Sequence, residues 1–176
     1  MRKLAAFAAA LSVNLPGLAL AAEPPCLTPA EFTAVSSYAM PAIIDGTVQR
    51  CGATLSSDSF LRRHGPELEL RYAALKPRAW PGAKAAFLKV SASTGGDMAN
   101  MLRSMPDTSL QPMLDAFVAG AVSQQLPLQR CGTVNRVIEL LSPLPPESTA
   151  ELIALATGLG AQAGRARIGM ITICPA

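Results

Sequence analysis

Aromatic side chains are scarce in this chain, and so is charge. Phe, Trp and Tyr make up 5% of its 176 residues, and Asp, Glu, Lys and Arg 15%. Val/Ile/Thr alternation is also rare, whereas Ala and Leu abound, which points to helices rather than sheets. One histidine, His64, is present, so a multi-histidine zinc site is excluded. The four cysteines include no C-x-x-C pair, which removes a thioredoxin-like redox site and a zinc ribbon. Neither G-x-S-x-G nor S-x-x-K occurs, so a serine nucleophile has no motif behind it. Gly158, Gly160 and Gly164 have the wrong spacing for a dinucleotide loop and follow a helical pattern rather than a strand. Glu67 and Glu69 stand two apart, so on a helix they diverge and make a poor acid–base pair. No catalytic constellation and no cofactor are expected.

What is there begins at the N-terminus. Met1-Arg2-Lys3 is followed by an uncharged run from Leu4 to Leu20, then by Ala19-Leu20-Ala21. That pattern reads as a secretory signal peptide over 1–22, cleaved near Ala21 or Ala22. Asn14, Pro16 and Gly17 interrupt the run, which argues against a spanning anchor. No later stretch is long and apolar enough to cross a bilayer. The remainder, 23–176, is one domain's length, with enough chain for a hydrophobic core. Without Arg2 and Lys3, thirteen basic residues face twelve acidic ones, a net charge of +1. Near-neutrality argues against a dedicated nucleic-acid binder. The expected setting is exported, periplasmic or extracellular.

Export suits the cysteines Cys26, Cys51, Cys131 and Cys174, which read as structural disulfides. Cys26 and Cys51 flank one predicted helical unit, which favours a local 26–51 bridge. Elimination then leaves 131–174, tying down the tail. Thr28-Pro29-Ala30-Glu31 is a helix start with a capping box, and a kink or restart is expected at Pro41. Further helices are expected from Ser57 to Gly65, from Pro66 to Pro77 and from Pro81 to before Gly95. Beyond them, helices follow over 97–105, 110–125, 134–141 and 147–159. The tail 167–174 is the one strand candidate. The segment 48–53 (V-Q-R-C-G-A) echoes 128–133 (L-Q-R-C-G-T), for which chance and shared helix-boundary chemistry is the preferred account over a duplication. The expected fold is mainly α: one compact domain of six to eight short helices stapled by two disulfides.

Two weaker leads concern function. Met98, Met101 and Met105 recur at helical spacing, and with His64 they are the candidate soft ligands for copper outside the cytoplasm. Core filling is the commoner use of such a stripe. The segment 62–89 holds seven basic residues against two acidic ones. Its Arg62, Arg63, Arg71, Lys76, Arg78 and Lys84 surround the only tryptophan, Trp80. Such a stretch suits docking on an envelope protein or an anionic envelope surface. The expectation is a non-enzymatic interaction module. A helical domain holding a small apolar ligand is the alternative, and copper binding ranks behind both.

Overall fold

The computed structural model describes residues 26–92, 96–162, 167–168 and 171–174. The predicted signal peptide lies outside the described residues. Seven α-helices are found among them: α1 (Pro29–Cys51), α2 (Phe60–Ala73), α3 (Lys76–Ser91), α4 (Gly96–Ser104), α5 (Asp107–Gln125), α6 (Cys131–Leu141) and α7 (Pro146–Gln162). A 3-10 turn, Leu128–Arg130, precedes α6. The tail forms two short antiparallel strands, β1 (Arg167–Ile168) and β2 (Ile171–Thr172). Ile173 then bridges Leu27 in parallel.

The first helix starts as its sequence requires. The Thr28 backbone N–H donates to Glu31 Oε2 at 2.8 Å, and Glu31 N–H donates to Thr28 Oγ1 at 3.3 Å. That is a closed capping box, with Pro29 supplying a helical φ in the first turn. The helix then runs through Pro41 without ending. Proline removes one backbone donor and strains the preceding turn, but α1 packs against α2, α3, α5 and α7. Burial around the axis holds both halves as one element. Pro66 inside α2 follows the same logic: Leu61, Gly65, Leu68 and Tyr72 are buried at 4-, 3- and 4-residue steps spanning it. Pro77 falls in the first turn of α3 and Pro81 within that helix.

Small residues let the neighbours approach α1 closely. A Cβ on Gly46 would stand 2.5 Å from the Ala119 carbonyl oxygen of α5. One on Gly82 of α3 would stand 2.8 Å from the Ala34 Cβ. The core divides into three clusters along α1. Phe32, Leu27, Ala86, Ala154 and Ile173 fill its N-terminal end. Tyr38 packs with Trp80, Ala83, Leu102, Leu110 and Leu114, and Ile44 packs with Leu68 and Tyr72.

The disulfides differ from the favoured pairing. Cys26 joins Cys174 and Cys51 joins Cys131. An unbroken α1 explains the correction: at 1.5 Å per residue its ends stand about 33 Å apart. Bridged Cα atoms lie within about 7 Å, so Cys26 and Cys51 are out of reach of each other. The start of α6 instead abuts the end of α1, and the tail returns to its beginning. Chain entropy credits loops of 80 and 148 residues with about 4.5–5 kcal/mol each when taken alone. The inner bond also joins the two echoing segments, since Cys51 and Cys131 hold the same place in each.

Candidate functional site

The basic stretch lies on α2 and α3. Trp80 is 7% exposed, packed on Tyr38 with ring centroids 5.0 Å apart. Its indole N–H donates to Asp107 Oδ2 at 2.8 Å. Asp107 stands in the first turn of α5, where negative charge suits the helix dipole. Lys84 Nζ meets the other Asp107 oxygen at 2.6 Å. The Lys84 hydrogen bond, then that of Trp80, lowers the Asp107 carboxyl below its ordinary range. Lys76 pairs with Asp115 and lies over the Tyr38 ring, 4.6 Å from its centroid. Lys89 pairs with Glu31 at 2.8 Å.

Three positive charges of the stretch are therefore met by carboxylates of α1 and α5. Arg62 donates to the Leu55 carbonyl, and Arg71 to the Ser142 carbonyl at 2.8 Å. Arg62, Arg63, Arg71 and Arg78 remain exposed, without an aromatic side chain from Trp80 among them.

The methionine lead divides in the fold. Met101 is 51% exposed on α4, whereas Met105 packs against the Trp80 cluster. The Met98 side chain lies outside the described residues. His64 stacks on Phe60 with centroids 5.0 Å apart, its Nδ1 3.8 Å from Glu67 Oε2. Phe60 belongs to the Ile44 cluster, so His64 and Met105 serve different parts of the core. Among the described residues, no group of three or more His, Cys, Asp or Glu side chains is placed to hold a metal ion.

A cleft of about 200 Å³ opens where α1, α2, α3 and α5 meet. Pro41, Ala42, Ala73, Ala116 and Ala119 form its apolar lining, and Asp45, Glu69, Asp115 and Lys76 its charged one. Burial, then the nearby Asp45 carboxylate, raises the Glu69 carboxyl above its ordinary value. Burial, then the Asp115 carboxylate, pushes the Tyr38 phenol up. Within the cleft lining, Lys76 is engaged by Asp115.

The outer helix faces carry what the sequence reading missed. α7 buries Thr149, Ala150 and Ala154, while Leu152, Leu155 and Leu159 stand 50%, 65% and 61% exposed. They recur at 3- and 4-residue steps, so they form one stripe opposite the buried side. Val137 and Leu140 on α6 and Phe117 on α5 are also exposed, Phe117 at 68%.

No family model, curated protein or solved structure matches this chain.

The α7 stripe had a sequence signal. From Leu152 to Gln162 the helix has no charged residue and bears apolar side chains around its whole circumference. A surface helix of that kind meets apolar material on more than one side. Phe117 gave no such signal, because its spacing from Leu114 and Val118 suits a core stripe equally well.

Proposed function

We propose that this protein is an exported, non-enzymatic interaction module that docks an envelope protein on the outer face of α7. The observation that carries the reading is the stripe of Leu152, Leu155 and Leu159, more than half of it in solvent. Exposed leucines at this spacing are the signature of a helix that seats against another helix or in an apolar groove. The charge pattern selects the class of partner. α7 contains Glu147 and Glu151 and no Lys or Arg, so it offers an anionic lipid surface no attraction. The basic residues that suggested such a surface are on α2 and α3, three of them engaged within the fold.

Two disulfides support an oxidising compartment. No described helix is long and apolar enough to cross a membrane. The alternative, a small apolar ligand, has less behind it. The cleft is below the usual ligand-site volume of about 300–1,000 Å³, and charged side chains line its rim.

The test places a photo-crosslinking amino acid at Leu155 in living cells. The expected product is an adduct with a different envelope protein. It should be lost in the Leu152→Gln/Leu159→Gln variant and kept in Arg63→Glu/Arg78→Glu. Adducts only with lipid or with a second copy of the chain would overturn the reading, as would one insensitive to the leucine changes. N-terminal sequencing of the exported protein should find a start at Ala22 or Glu23.

A further inference from the structure

We propose that the Cys26–Cys174 disulfide is a redox-released strap, opened by a dithiol reductant while the helical body stays folded. The two disulfides differ in what shields them. Cys51 and Cys131 are 0% and 2% exposed, sealed where the end of α1 meets the start of α6. Cys26 and Cys174 are half-buried. Thiol–disulfide exchange begins when a thiolate reaches a disulfide sulfur, so access decides which bond goes first. The inner bond is reached only after the junction around it opens. The outer bond is reached in the folded protein.

The bonds also differ in what else holds the chain they tie. Around Cys51 and Cys131, Arg50 Nε donates to the Leu126 carbonyl at 3.0 Å, and Leu61 N–H donates to Asn135 Oδ1 at 2.9 Å. Ile138 of α6 packs against Leu68 and Tyr72. The tail has less. Leu27 N–H donates to the Thr172 carbonyl and Cys174 N–H to the Leu27 carbonyl, both at 2.9 Å. Beyond these, among the described tail residues, the buried side chain is Ile173, 3% exposed. The β1–β2 ribbon is only two residues per strand, too short for stability of its own. Once the covalent tie is cut, the conformational entropy of the tail favours release.

The reaction balances without any other reagent. A thiolate of the dithiol attacks the Sγ of Cys26 or Cys174, the S–S bond breaks, and the departing sulfur takes up a proton. The reagent's second thiol then loses its proton and displaces the protein sulfur from the mixed disulfide. Two protein thiols form, and the reagent leaves as an intramolecular disulfide. Departure of Ile173 uncovers Phe32, Ala86 and Ala154, an apolar opening shared by α1, α3 and α7.

The experiment treats the oxidised protein with increasing dithiothreitol, blocks new thiols with iodoacetamide, and locates them by peptide mass spectrometry. Circular dichroism and brief trypsin digestion follow each step. The expected result is labelling of Cys26 and Cys174 at dithiol concentrations at least tenfold below those that label Cys51 and Cys131. Helical signal should persist while trypsin cleavage after Arg167, in β1, increases. A Cys26→Ser/Cys174→Ser variant should show the same trypsin sensitivity without reductant. Labelling of both pairs together, or of the inner pair first, overturns the proposal. So does a reduced outer pair whose tail stays resistant to trypsin.

Discussion

At the scale of single residues, three lysines of the basic stretch serve the protein's own architecture. Lys84, Lys76 and Lys89 each find a carboxylate 23 to 58 positions away. Sequence shows the local excess of charge but not these distant partners, which is why a basic face looked open between residues 62 and 89. Trp80 was ambiguous for the same reason: its N–H acceptor, Asp107, belongs to another helix. Trp80→Ala should cost about 3–5 kcal/mol by the usual penalty for emptying an aromatic core site. Exposed Arg78→Glu should stay within about 0.5 kcal/mol, and urea denaturation separates the two. The Glu31 carboxyl is held below its ordinary value of 4.5, first by the Lys89 hydrogen bond and next by the Thr28 backbone N–H. The unfolded chain therefore takes up this proton more readily than the folded one. The resulting stabilisation is complete above 4.5 and is lost as the pH falls below that value through the lower, folded one. Urea midpoints measured across that acidic range should decline, and Lys89→Met should make the decline shallower.

At the scale of elements, locally determined features were legible and tertiary ones were not. The Thr28–Glu31 capping box, the α5 span and the α6 and α7 cores follow from residues within a few positions of one another. A kink or restart was expected at Pro41 and a break at Pro66, because sequence cannot show the packing on α1 that carries both helices through. The same error misassigned the disulfides, since a broken α1 would have brought Cys26 and Cys51 together. The segment 147–159 was expected as an amphipathic helix, but a leucine pattern records periodicity and not which side is covered. Close approach of helices gives a paired test. Gly46→Ala drives a Cβ into the Ala119 backbone and should destabilise by about 1–3 kcal/mol. Gly120→Ala in α5 meets open space and should stabilise by about 0.5–1 kcal/mol through helix propensity. Thermal melts of the two variants should move in opposite directions.

At the scale of the whole molecule, the mainly helical class and the presence of two staples were readable from composition and cysteine count. The order in which helices surround α1 was not, because it depends on which faces meet. The nested bonds have a mechanical consequence. A load applied to the two ends of the chain enters at Cys26 and leaves at Cys174, crossing a single covalent bond. The helices between them lie outside the path of force. In single-molecule pulling, the oxidised protein should behave as an inextensible link, with no unfolding step. Full reduction should release about 500 Å of contour from the 148-residue separation. With the Cys51–Cys131 bond intact, the release should stop short of that length.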